Sequence, residues 1–76
     1  MSIYRITRTE RGWELRKQGA TRASKTATSQ AEILRLAADF LKDRTATLVI
    51  HDPDGHAVEE RTYPREPEPE PDEQNG

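Results

Sequence analysis

Residues 29–41, SQAEILRLAADFL, decide the fold class of this chain. Ser29 and Glu32 have the spacing of a capping box, in which the hydroxyl and the carboxylate each satisfy a free backbone N–H group at a helix start. Apolar side chains then recur at intervals of three and four residues from Ile33 to Leu41, and most charged side chains fall on the other side. We therefore predict one amphipathic helix over residues 30–43 that lies on a sheet.

The sequence before the helix alternates apolar and polar residues, which is typical of half-buried strands. Tyr4 and Ile6 share one face of the first strand, and Trp13 and Leu15 face inward from the second. Gly12 ends the turn between these strands, where we expect it to take a positive φ. The strands predicted in this half cover residues 2–8, 13–17 and, as a short third strand, 22–26.

After the helix, the pattern predicts a second hairpin. Residues 45–51 contain an apolar run that indicates a central strand or one covered on both faces. Residues 52–55, DPDG, are a strong turn sequence because Pro53 presets φ and Gly55 takes the left-handed conformation. A last strand covers residues 57–63, and Val58 is its predicted inward anchor.

These elements predict an α+β fold of order ββ(β)αββ. Its sheet has four or five mostly antiparallel strands, and the helix packs on one face. The other face is left uncovered. The side chains predicted on this uncovered face are Arg5, Thr7, Glu14, Arg16, Val49, His51 and Glu59.

Composition divides the chain into a domain over residues 1–64 and a tail over residues 65–76. Residues 1–65 hold all 12 Lys and Arg with nine of the 14 Asp and Glu, whereas residues 66–76 hold five acids and no base. Alternating proline and glutamate predict a disordered, extended and solvated tail. Such a tail either serves solubility alone or lies over the basic hairpin and competes with an anionic partner.

Composition also excludes several classes of protein. The chain has no cysteine, so it has no disulfide and no thiolate zinc site. Its first residues lack the apolar run of a signal peptide, and no stretch approaches the roughly 18 apolar residues of a membrane span. We expect a soluble, cytoplasmic bacterial protein with no membrane partner.

The residues with chemical potential for catalysis or metal binding lie around the second turn. His51, Asp52, Asp54 and His56 form a local cluster, but a metal site needs three or four converging ligands. The favoured interpretation is that the two aspartates cap the turn, His51 ends a strand and His56 is solvated. No glycine-rich phosphate loop is present. We predict no enzyme activity, no metal and no cofactor.

Two hypotheses for binding remain. Residues 1–28 carry seven basic side chains against two acidic ones, which suits weak, salt-sensitive contact with nucleic-acid phosphates. The alternative is a solvated charged sheet face with no nucleic-acid role. The candidate nucleic-acid contacts are Arg5, Arg8, Arg11, Arg16, Lys17, Arg22 and Lys25.

Self-association is the rival hypothesis. The apolar arc of the helix is wider than the roughly 100° that a single packed face needs, and a domain this small buries little core. The protein is then a homodimer or a protein-interaction module, with Leu36, Ala38 and Val49 as candidate contacts. A monomer whose own sheet uses the whole arc is the alternative.

An ordered set of short motifs resembles a small bacterial family, domain of unknown function 2188. The set comprises residues 12–15, GWEL; the helix start at residues 29–32; the alanines at residues 37–38; residues 48–51, LVIH; and residues 54–55, DG, followed by Val58 and Tyr63. The chain departs from the family pattern at residues 52–53 and in the bulk of Leu36 and Phe40. The resemblance implies a compact ββαββ-type fold and no activity.

Overall fold

The computed structural model describes residues 2–63. The predicted boundary at residue 64 and the tail over residues 65–76 lie outside the described residues. Five strands and one helix occupy the described part in the predicted order. They are β1 (Ser2–Thr9), β2 (Gly12–Lys17), β3 (Lys25–Ala27), α1 (Gln30–Leu41), β4 (Ala46–His51) and β5 (Ala57–Tyr63).

The strands form one mixed sheet in the order β3-β2-β1-β4-β5. β1 and β4 are parallel, and the other three neighbouring pairs are antiparallel. The α+β prediction of a mostly antiparallel sheet with one helix is therefore confirmed. β4 lies between β1 and β5, as its apolar run predicted.

One face of the sheet and one side of the helix form the core. Ile6, Leu15 and Leu48 are fully or almost fully buried, and Ile33 and Leu41 of the helix cover them. The β1–β2 and β1–β4 registers place these strand residues on one face, because directly paired residues share a face and successive side chains point to opposite sides. The helix packs mainly against β2 and β3. The remaining buried residues are Tyr4, Trp13, Ala37, Ala46, Ile50 and Tyr63.

Local hydrogen bonds account for both ends of the helix. The Ser29 hydroxyl accepts from the Glu32 backbone N–H at 3.1 Å, as the capping box predicted. The Glu32 carboxylate accepts from the Thr28 hydroxyl at 3.4 Å and not from a free backbone N–H, so this half of the predicted capping box is wrong. At the other end, Arg44 donates its Nε to the Phe40 carbonyl and its backbone N–H to the Leu41 carbonyl. These bonds satisfy helix-end carbonyls, so α1 ends at Leu41 and not at residue 43 as predicted.

The prediction for β5 is wrong in its orientation. Val58, the expected inward anchor, is 60% exposed, and Tyr63 is the buried anchor at 3%. β5 pairs Glu59 with Ile50 and Ala57 with His51, so Val58 is the extra residue of a β-bulge. Glu59 consequently shares the helix side with Ile50, and Glu60 takes the place predicted for Glu59 on the uncovered face.

Within residues 2–63, no helix has the length and apolar character needed to cross a membrane.

Candidate functional site

The face of the sheet that α1 does not cover is polar, and we call it the open face. The β1–β2 and β1–β4 registers place Arg5 at its centre, beside Arg16 on one strand and Val49 on the other. Val49 and His51 are half-buried. The open face includes Ile3, Arg5, Thr7, Glu14, Arg16, Thr26, Thr47, Val49, His51, Ala57, Glu60 and Thr62.

Arg5 is held by two groups, neither of which is a carboxylate. Its Nη2 donates to the Gln18 Oε1 at 2.8 Å, and its Nη1 lies 3.4 Å from the His51 Nε2. None of the ion pairs among residues 2–63 includes Arg5. A guanidinium has five N–H donors and no acceptor. Among residues 2–63, the Arg5 guanidinium therefore has no carboxylate partner, and it keeps donors available at the surface.

The hydrogen bonds of His51 define its tautomer. The His51 Nδ1 lies 3.0 Å from the Gly55 carbonyl oxygen, which can only accept, so Nδ1 carries the proton. In the neutral ring, Nε2 is then an acceptor that faces the Arg5 guanidinium. The second hairpin thereby helps to orient Arg5 without neutralising it.

Arg16 differs from Arg5 because its donors are already in use. It binds both carboxylate oxygens of Glu14, at 2.9 and 3.0 Å, and donates to the Thr21 carbonyl at 2.7 Å. The hydrogen bond to Glu14 raises the Arg16 pKa above its ordinary value. Arg16 thus ties the loop after β2 to the sheet, and Glu14 balances its charge.

A shallow depression of about 230 Å³ lies over these side chains. Lys17 is exposed beside it, and Gly19 leaves its rim without a side chain. The charges around it are Arg5, Lys17 and the balanced Arg16–Glu14 pair, so the depression is net positive. Its lining residues are Arg5, Thr7, Glu14, Arg16, Lys17, Gln18 and Gly19.

The other four candidate basic residues lie elsewhere. Arg8 pairs with Trp13 near the β1–β2 turn, and Arg11 is exposed within that turn. Arg22 is exposed in the loop between β2 and β3. Lys25 extends over the Phe40 ring on the helix side, with its Nζ 5.7 Å from the ring centroid. The structure therefore brings together three of the seven basic residues, Arg5, Arg16 and Lys17.

The three candidate self-association residues do not share a surface. Leu36 and Ala38 are half-buried on the helix, and Leu36 packs against the core. Val49 is half-buried on the open face, on the other side of the sheet. A contact that uses all three residues at once would have to bind both sides of the sheet.

The turn of the second hairpin has the geometry expected of a capped turn. The Asp52 Oδ1 accepts the backbone N–H groups of Asp54 and His56, both at 2.9 Å. The bond from His56 is the largest of the causes that lower the Asp52 pKa. His56 is exposed, and His51 is the last residue of β4. Across residues 2–63, no three His, Cys, Asp or Glu side chains converge where they could hold a metal ion.

A larger groove of about 760 Å³ runs between the β1–β2 turn, β3 and the start of the helix. Its charged lining residues are Glu10, Glu14, Glu32 and Arg11. This groove is net acidic, so it does not favour an anion despite its size.

Alternation along the strands was enough to pair Arg5 with Arg16, but it missed Gln18. Gln18 lies in a loop, where no periodicity applies, and its backbone N–H extends the ladder by donating to the Ile3 carbonyl at 2.7 Å. That bond brings the Gln18 amide to Arg5. The one feature of the sequence that could have indicated a role for Gln18 is its position as a polar residue directly after β2.

Comparison with known proteins gives a family and no activity. No curated protein and no solved structure matches the chain. Residues 4–63 match the profile of the family described as "Uncharacterized protein conserved in bacteria (DUF2188)". The match runs from within β1 to the end of β5. The chain therefore belongs to this bacterial family.

Proposed function

We propose that the protein is a non-catalytic module that binds nucleic-acid phosphates weakly through the depression on the open face. Arg5 and Lys17 supply the charge, and Arg16 shapes the site. The observation that carries this proposal is the position of Arg5 in a depression, where its side-chain partners are an amide and an imidazole and not a carboxylate. A guanidinium held in this way suits phosphate oxygens, which accept charge-assisted hydrogen bonds.

The chemistry of the open face also defines what kind of binding to expect. Tyr4 and Trp13 are buried on the helix side, and the described residues of the open face include no Phe, Tyr or Trp on which a base could stack. Contacts limited to phosphates carry no sequence information. Binding should therefore be independent of sequence and sensitive to salt, with a dissociation constant on the order of 0.1 mM.

Fluorescence anisotropy with labelled 20-mers of single- and double-stranded DNA and RNA tests this proposal. We expect Arg5→Gln to weaken binding about fivefold, because it removes the free guanidinium. Two phosphate contacts predict a loss of about tenfold on double-stranded DNA between 50 and 200 mM salt. Since residues 66–76 add five negative charges, the same titration is repeated with these acids replaced by amides in the full-length chain.

Arg35→Gln is the matched control. Arg35 is exposed on the helix, on the opposite side of the sheet from the open face, and the substitution makes the same change of charge. Its effect should stay within twofold. Equal losses for both variants would show a diffuse charge effect with no site. Absence of binding by the wild-type and the amide variant up to 1 mM protein would refute the function.

A further inference from the structure

β5 is the longer of the two edge strands of the sheet, and most of it is exposed. It spans seven residues, whereas β3 at the opposite edge spans three. No strand lies beyond β5 among residues 2–63. Its residues are exposed from Ala57 to Thr62, except for the half-buried Arg61. An edge strand presents backbone donors and acceptors that can pair with another chain.

The sequence of β5 is complementary to itself when two copies run antiparallel around Glu60. In this register, Glu59 lies opposite Arg61 of the partner subunit, and Arg61 lies opposite the partner's Glu59. Val58 lies outside this regular register, because it is the extra residue of the β-bulge. A shift of the register by two residues in one direction puts Glu59 opposite its own copy, and a shift in the other direction puts Arg61 opposite its own copy. Either shift therefore sets like charges against each other.

We propose that two copies of this chain pair through their β5 edges to form one continuous ten-stranded sheet. Antiparallel pairing of identical strands requires a two-fold axis perpendicular to the sheet. The two helices then lie on one side, and the two open faces lie together on the other. This surface is separate from the depression around Arg5, so the proposal does not depend on the proposed function.

Within one chain, Arg61 already binds Glu59, with its Nε 2.6 Å from the Glu59 Oε2. This bond raises the Arg61 pKa. Both side chains therefore stand next to the edge, in position to exchange partners across it. Glu60 is the one unfavourable element, because it meets its own copy at the two-fold axis. The dimer is consequently weak at neutral pH.

Sedimentation equilibrium of the full chain from about 10 μM to 1 mM, with charge-swapped variants, tests the interface. Arg61→Glu puts two pairs of like charges across the axis, and Glu59→Arg does the same with the opposite sign. Each should weaken dimerisation about tenfold or more, and the double swap should restore it. Arg35→Glu makes the same charge change on the helix and should leave the dimer unchanged.

Glu60→Gln provides a test that does not disturb the fold, because Glu60 is exposed. Removing the like-charge contact at the axis should tighten the dimer severalfold. If the Arg61 or Glu59 single variant fails to fold, as judged by circular dichroism, Glu60→Gln and the double swap decide the question. A wild-type chain that stays monomeric up to 1 mM would overturn the proposal. So would a dimer that is insensitive to Glu60→Gln and to whichever charge-swapped variants fold.

Discussion

Replacing Gly12 with alanine should destabilise the protein far more than an ordinary turn substitution. Gly12 opens β2 with a φ of +138°, which side-chain-bearing residues rarely adopt. A Cβ atom built there would lie 3.0 Å from the Thr28 Cα and closer still to the Ala27 carbonyl oxygen. Both contacts are with backbone, so β3 itself would have to move.

Two costs contribute to the loss of folding stability that we expect for Gly12→Ala. Backbone strain at such a φ is about 1–3 kcal/mol. Displacing β3 also weakens its pairing with Trp13, which is buried opposite Ala27, and overpacking of this kind costs roughly 1–3 kcal/mol more. We expect a loss of about 3 kcal/mol or more. The whole domain should be stable by only about 3–9 kcal/mol, given 0.05–0.15 kcal/mol for each of its roughly 60 residues.

Gly55→Ala is the matched control for Gly12→Ala. Gly55 has a φ of +94°, but a Cβ atom there would meet nothing within 4 Å. It should cost about 1 kcal/mol from conformation alone. At about 4–8 °C per kcal/mol, thermal unfolding followed by circular dichroism should show a fall of about 5 °C for Gly55→Ala and 15 °C or more for Gly12→Ala. Equal shifts for the two variants would refute the close approach of β3 to Gly12.

Two further predictions concern the second hairpin and the end of β5. Asp52→Asn should remove the stabilisation that the ionised Asp52 carboxylate supplies at neutral pH. Because the folded-state pKa of Asp52 is lowered below its ordinary value of 3.8, that contribution is present at pH 7 and is lost as the pH falls through the lowered pKa. The difference in melting temperature between the wild type and Asp52→Asn should therefore shrink below about pH 4, and a difference independent of pH would contradict this. Tyr63→Phe should be neutral or stabilising by up to about 1 kcal/mol in urea unfolding, because the buried Tyr63 hydroxyl lies near the Arg61 guanidinium but forms no well-aligned hydrogen bond within residues 2–63. A loss greater than about 1 kcal/mol would show that the hydroxyl has a partner.

The features that could be predicted from sequence are those that depend on local chemistry. The helix start follows from one hydroxyl, that of Ser29, and the second turn follows from the Asp-Pro-Asp-Gly run at residues 52–55. The core side of β1 and β2 follows from strict alternation. In each case the decisive residues are within four positions of each other, so the local pattern of one sequence is enough to predict the feature.

The features that could not be predicted depend on pairing between distant segments. The parallel contact of β1 with β4 joins residues more than forty positions apart, and nothing in either strand specifies the neighbour. The β-bulge at Val58 reverses which side of β5 faces the helix, because a one-residue shift moves every side chain to the other face. Val58 is apolar but exposed, and hydrophobicity alone therefore gave the wrong orientation.

The separation between core and binding surfaces makes both proposals testable. The buried residues all lie between the helix and one face of the sheet, whereas Arg5 lies on the other face and Glu60 on the outermost strand. Polar substitutions at exposed or half-exposed surface positions usually change stability by less than about 0.5 kcal/mol. A loss of nucleic-acid binding in Arg5→Gln, or a change of dimerisation in Glu60→Gln, therefore reports on the surface concerned. Arg5 and Glu60 are two strands apart, a distance of about 10 Å at 4.8 Å per strand. The effects of the two substitutions on stability should therefore be close to additive in a double variant. Strong coupling in binding would instead mean that phosphates and the second copy compete for one continuous surface.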